Sequence, residues 1–301
     1  MATAISGLTS LEQVGTTYVN ARHAIRSIAF LKANRLRRPD LVLTFGLPLV
    51  DAKGAGLSQA ESYSAHEEVY LAALDLDDAP LAKRCIEVLA GRFPGSFRVR
   101  TLQAMAQEAG GRFNEALSAY NAILEDDPAN TLVMKRRVAV LESMGNTTAA
   151  AQALVEYLAL YSSDGDAWLQ LGKIYLVDSQ YRKAAFCYEE LLLLAPTNHV
   201  FHTKYADILY TLGGPDVKTA RKYYAHSLNI CPQNNARALY GLMMCCQAMA
   251  SAGPARSKDK DDARKTAALL EFASTQLEQM YAGKASVSDS TVLSRMLEGL
   301  A

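Results

Sequence analysis

Residues 168–196 read WLQLGKIYLVDSQYRKAAFCYEELLLLAP, and this stretch decides the fold. Bulky side chains stand at Trp168, Leu171, Tyr175 and Tyr188, small ones at Gly172 and Ala184, and Pro196 closes the segment. The same spacing recurs on both sides. Pro94, Pro128, Ser162, Pro196 and Pro232 follow one another at steps of 34, 34, 34 and 36 residues. Twelve residues before each of these markers stands an alanine: Ala82, Ala116, Ala150, Ala184 and Ala220. Two helices that cross closely leave room only for small residues at the crossing, while bulky neighbours fill the space around it. A proline lacks an amide hydrogen and restricts the residue before it, so each marker ends the second helix of a pair.

A 34-residue period carrying W-x2-L-G-x2-Y, A-x3-F and a closing proline resembles the tetratricopeptide repeat, with Tyr188 in place of the usual Phe. The resemblance implies an all-α, right-handed superhelical solenoid of about five repeats, a degenerate sixth and helical caps. The register predicts helix pairs over 64–93, 96–126, 130–161 (turning near Gly145-Asn146), 165–195 and 198–230. The two extra residues of the fifth pair belong to the turn signal Gly213-Gly214-Pro215. A sixth unit starts with a helix over 235–250. After 251–254 and the solvated mixed-charge run 256–265 comes a helix ending near Tyr281, whose Leu269, Ala273, Leu277 and Tyr281 share a face and cap the stack. Beyond it Val292, Leu293, Met296, Leu297 and Leu300 recur at helical spacing, a stripe that docks on the solenoid or on a partner. Residues 1–60 lack the register. There Ser10 and Gln13 have capping-box spacing, and Leu11, Val14, Tyr18, Ala21, Ile25 and Ile28 predict a helix before Pro39. The expected organisation is therefore an N-terminal helical cap and linker over 1–60, the solenoid over 61–250, and a capping helix and tail over 251–301.

Composition narrows the function. Half of the 301 residues are apolar, enough for a sizeable core, and 31 basic side chains balance 31 acidic ones. Phosphate backbones draw affinity from an excess of Lys and Arg, so nucleic acid is not the expected partner. The start of the chain does not read as a secretory signal, and Leu41 to Val50, interrupted by Pro48, is about half the roughly 20 residues of a membrane-spanning helix. Cys85, Cys187, Cys231, Cys245 and Cys246 are odd in number without C-x-x-C spacing, which fits a reducing compartment and buried free thiols. His199 and His202 have no ligand partner at metal spacing and read as packing or surface groups. No Gly-rich phosphate loop, G-x-S-x-G or H-E-x-x-H is present, and Glu125-Asp126-Asp127 reads as a solvated turn, so no catalysis, cofactor or metal is expected. The cluster Lys32, Arg35, Arg37 and Arg38 could meet anionic lipid or an acidic partner, with a solvated helix end favoured by its dipole as the plainer reading.

A stack of helix pairs presents a long inner face, and repeat proteins use it to hold other proteins. The inner positions read Arg98, Thr101, Met105, Lys135, Leu169, Lys173, Thr203, Asp207 and Tyr210, a mixture that suits a folded or helical protein surface. Repeat domains that clamp chaperone tail carboxylates place Lys and Asn at fixed inner positions. Lys135 matches, but Ala139 stands where Asn belongs and Gln170, Val200 and Lys204 follow, so the clamp is incomplete. A soluble co-chaperone or adaptor that binds peptide tails is accordingly the second reading.

Four segments carry a narrower resemblance: LAALD (71–75), RFPGS (92–96), KAAFCYEEL (183–191) and RALYGL (237–242). Together they are similar to subunit 2 of the endoplasmic reticulum membrane protein complex, over about residues 60–250. That resemblance implies a non-catalytic scaffold on the cytoplasmic face of the endoplasmic reticulum, peripheral and held to the membrane through its partners. It would grip cytosolic segments of membrane-embedded subunits 3 and 5, and also subunit 8 or 9, in an insertase for tail-anchored and multi-pass membrane proteins.

Overall fold

The first helix of a pair needs donors satisfied at its start, and two residues after three of the markers, Pro128, Ser162 and Pro196, the chain supplies acceptors for them. Asn130 accepts from the Val133 amide at 3.2 Å, Asp164 from Asp166 and Ala167 at 3.1 and 3.2 Å, and Asn198 from Val200 at 3.0 Å. Ser58 forms a reciprocal capping box with Glu61. The turn inside each pair carries its own beat. Asp77, Gly111, Gly145, Ser179 and Gly213 all have positive φ, 34 residues apart, each ending a helix in the left-handed conformation. Because Gly213 keeps that beat, the two extra residues of the fifth pair fall after it, at Gly214 and Pro215.

The computed structural model describes residues 21–52, 56–251 and 260–281. Among them are fourteen helices and no strand: α1 (Ala21–Ala33), α2 (Pro39–Asp51), α3 (Gln59–Asp75), α4 (Ala79–Arg92), α5 (Phe97–Ala109), α6 (Phe113–Asp126), α7 (Thr131–Ser143), α8 (Thr147–Leu160), α9 (Gly165–Val177), α10 (Tyr181–Leu194), α11 (His199–Leu212), α12 (Asp216–Ile230), α13 (Ala236–Ser251) and α14 (Lys260–Tyr281). From α3 to α12 each second helix stops two residues before its marker, as the register predicts. The first pair begins at Gln59, earlier than expected, because the Ser58 box extends α3. Residues 39–51, to which the sequence reading gave no element, form α2, with Pro39 in its first turn and Pro48 tolerated inside it. The capping-box pair Ser10 and Gln13, the positions Leu11, Val14 and Tyr18, the start of the mixed-charge run at 256–259 and the tail stripe from Val292 to Leu300 lie outside the described residues.

Two compact units divide between Asn146 and Thr147. In the first, Ala24, Ile28, Leu31, Phe45 and Leu49 close α1 and α2 over Ala65 of α3. Gly46 is needed there, since a Cβ would overlap the Val69 side chain. Val69, Tyr70, Cys85, Leu89 and Leu102 continue the core, with the Tyr70 hydroxyl donating to the Leu102 carbonyl at 2.7 Å, and Ala116, Tyr120, Ile123 and Val140 follow. In the second unit one continuous core runs from Ala184 to Leu277.

The repeat alanines do what their size requires. Ala82, Ala116, Ala150, Ala184 and Ala220 are all buried, Ala184 fully, and a Cβ on Gly172 would stand 3.1 Å from the Tyr188 ring. Leu171 and Tyr188 are buried, Trp168 and Tyr175 half-buried beside them. Helix α14 covers the end of the second unit with Ala273 and Leu277 fully inside and Leu269 and Tyr281 packed around them, the expected cap. It is keyed in place by Arg221 of α12, whose buried guanidinium donates to Thr266 at 2.5 Å and to Asp262 at 2.6 Å. Lys218 adds a contact to Asp262 at 2.9 Å.

Candidate partner-binding groove

On a first helix, residues three to four apart share a face, so Leu71, Leu74 and Asp75 of α3 line up as neighbours. One period on stand Met105, Glu108 and Ala109 of α5, and Ser143 lies one period beyond Ala109 on α7. In the first unit these residues line one groove of about 690 Å³, joined by Phe113, Arg136 and, from the segment before α2, Arg37. Apolar and polar side chains line it together, and the charges come in matched pairs. Arg37 grips Asp75 with Nε at 3.0 Å and Nη2 at 2.5 Å, and this hydrogen-bonded pairing raises the guanidinium pKa further. Glu108 accepts from the Tyr120 hydroxyl at 2.9 Å and from Arg136 at 3.4 Å. Burial, then the Glu108 charge, pushes the Tyr120 phenol strongly upward, so it stays a neutral donor.

Of the inner-face residues predicted in this unit, Met105 lines the groove. Arg98 is exposed and makes a two-pronged contact with Glu67, at 2.9 and 2.5 Å. Lys135 is exposed on α7. Thr101, expected to face a partner, is buried instead, its hydroxyl satisfied by the Phe97 carbonyl at 2.7 Å. In the second unit Thr203 is likewise buried, bonded to the His199 carbonyl and to Ser227. Asp207 accepts from Tyr224 at 2.7 Å and from Arg237 at 2.8 Å. Leu169 and Tyr210 are half-buried, and Lys173 is exposed. The sequence reading missed Leu71, Leu74, Asp75, Glu108 and Ala109, although the 34-residue register applied to Met105 and its next turn would have found them.

The basic cluster before α2 is largely neutralised, with Lys32 paired to Glu68, Arg37 to Asp75 and Arg38 to Asp40. The structure thus favours the plainer reading of that cluster. His202 is buried, its Nε2 2.7 Å from the Pro196 carbonyl and its ring edge-on to His226 at 4.6 Å. No group of three or more potential ligands stands at metal-binding geometry among the described residues. Burial pushes the Cys85 and Cys246 thiols up to about 11 and those of Cys187 and Cys245 to about 12, which makes them inert packing groups.

Comparison with known proteins sharpens this picture. A family model described as the EMC2 TPR-like repeat domain matches residues 93–214. The chain is 35% identical to ER membrane protein complex subunit 2-A of Xenopus laevis over 260 residues, 85% of this chain and 86% of that relative. This chain belongs to the ER membrane protein complex subunit 2 family. Its Dictyostelium discoideum relative is also 35% identical, over 75% of this chain and 74% of its own. Among solved structures, the C-terminal part of a TPR repeat-containing protein from Cytophaga hutchinsonii superposes with a TM-score of 0.59 at 15% identity, over 89% of this chain and 98% of its own, a likeness of fold. Membership of the subunit 2 family links this chain to a membrane complex, while no helix among the described residues is long and apolar enough to cross a membrane.

Proposed function

We propose that this chain is a non-catalytic scaffold that holds cytosolic segments of membrane-embedded subunits of the endoplasmic reticulum membrane protein complex. The observation that carries this reading is the groove along α3, α5 and α7. Its lining mixes the apolar side chains Leu71, Leu74, Met105 and Phe113 with charges already matched within the chain. A groove built so attracts an apolar, hydrogen-bonding protein segment more than a single anionic group, because a lone carboxylate would have to compete with Asp75 and Glu108 for their guanidinium partners. Subunits 3 and 5 are the proposed occupants, with subunit 8 or 9 as a further partner. Attachment on the cytoplasmic face of the membrane through those partners follows, and insertion of tail-anchored and multi-pass proteins belongs to the assembled complex.

The test uses the full chain, tagged and purified from detergent-solubilised membranes. Multi-spanning proteins of the complex should follow it, and high pH should strip it from microsomes. Leu71→Glu with Met105→Glu places two carboxylates on the half-buried groove floor and should reduce that co-purification at least about ten-fold, the effect of losing about 1.4 kcal/mol. A purely soluble pool of the chain, or unchanged recovery with the double variant folded, would refute the reading.

A further inference from the structure

The second unit carries a groove of a different kind. Helices α8 and α10 part over α9 to leave a trough of about 490 Å³, walled by Val155, Leu158, Trp168, Tyr175 and Phe186. Val155 and Phe186 are 49% and 53% exposed, so the trough presents apolar side chains to solvent. Among the described residues the charges that line it are cations, Arg182 and Lys183 in the first turn of α10, with no carboxylate beside them. Lys183 stands 5.3 Å over the Tyr175 ring. The groove of the first unit matches each guanidinium with an acid, and this one does not.

We infer that this trough is the docking site for the chain's own segment 289–300, bound as a short helix. On a helical wheel Asp289, Val292, Leu293, Met296 and Leu300 share one face, so the stripe is apolar and headed by a single acid. That order complements the trough, whose two cations stand at one end of an apolar run. In a docked helix begun there, the acid would stand in the first turn, where the dipole favours it. Seven residues separate Tyr281, the end of α14, from Asp289, and fully extended they span about 26 Å. Tethering raises the local concentration of the segment to about 1 mM, so a contact with an intrinsic dissociation constant of about 0.1 mM is filled about nine-tenths of the time.

Trp168 is the only tryptophan and it lines the trough, which makes the test direct. Acrylamide quenching of Trp168 is compared between the full chain and its Leu293→Asp/Leu297→Asp variant, both changes lying outside the described residues. The variant should quench more steeply and emit at longer wavelength. A synthetic peptide of residues 286–301 added to that variant should restore protection, half-effective near 0.1 mM. Arg182→Glu in the same background should raise that concentration about five-fold, the effect of one surface ion pair of about 1 kcal/mol. A peptide with Asp289→Arg should bind that charge-reversed chain better than the native peptide does. Equal quenching of the two chains with no response to peptide would overturn the proposal. So would protection of Trp168 that arises only when other subunits of the complex co-purify, since the trough would then belong to a partner.

Discussion

Gly241 of α13 offers a sharp test of how closely the second unit is packed. A Cβ at this position would overlap Cε1 and Cζ of Tyr224 and lie 2.8 Å from its hydroxyl. The ring cannot swing aside freely: Tyr224 is buried, and its hydroxyl donates to Asp207 at 2.7 Å, which Arg237 holds in turn. Gly241→Ala therefore forces an overpacked contact of about 1–3 kcal/mol. It also strains a hydrogen bond to a charged acceptor worth about 1.5–3 kcal/mol. Against these stands the helix-propensity gain of Ala over Gly, about 1 kcal/mol. The net expectation is a loss of about 2 kcal/mol, or about 4–8 °C in the melting temperature of a unit of this size. The matched control is Gly91→Ala in α4, where nothing lies within 4 Å of the added Cβ and only the propensity gain remains. Trp168 fluorescence reports the second unit alone, so urea unfolding followed at that residue should show a lowered midpoint for Gly241→Ala and none for Gly91→Ala. Circular dichroism should show the Gly91→Ala chain unchanged or slightly stabilised. If Gly241→Ala is neutral or stabilising at Trp168, the claim that α12 and α13 meet through a bare backbone is wrong.

Ala184→Leu, at a fully buried repeat crossing, should cost about 1–3 kcal/mol in the same assay. Arg221→Met should loosen α14 by about 2–3 kcal/mol, less than for an isolated buried pair because Lys218 still faces Asp262, and hydrogen exchange over 262–281 should rise accordingly. The Asp262 carboxyl is held below its ordinary value, first by the hydrogen bond from Arg221 and then by Lys218. A depressed carboxylate contributes stability above its unfolded pKa of about 4 and loses it as pH falls through the folded value, so α14 should stay docked at neutral pH and lose exchange protection, measured against the unfolded chain at the same pH, below about pH 4. Of the five thiols only Cys231 is partly exposed, and a thiol reagent at pH 8 should modify that one in the native chain and all five in denaturant. Fast native modification of a second thiol would contradict the burial described for the others.

The partner-facing residues show where reading by register succeeds and where it stops. Thr101 and Thr203 stand at inner positions by count, yet both are buried, each hydroxyl satisfied by a carbonyl four residues back. A hydroxyl can satisfy itself on its own helix, and spacing alone does not reveal when it does so. Leu71, Leu74 and Glu108 were within reach of the same count, had it been extended by one turn. The pairing of Arg37 with Asp75 joins residues 38 apart, off the repeat beat, and only the placement of α2 beside α3 brings them together.

The 34-residue spacing of small residues and prolines laid out the helix pairs from about residue 64 to residue 230 without any coordinates, because each of those constraints is local and repeats within one helix pair. Composition and the missing motifs pointed to a protein that holds others, for the same reason that they are countable along the chain. Tertiary structure decided the rest: that α2 exists despite Pro48, that the basic cluster is neutralised, that Arg221 keys the capping helix, and that one groove has matched charges while the other has bare cations. Those outcomes depend on which side chains meet across distant segments, and the energy of such a meeting is set by burial and partner geometry that a linear sequence does not carry.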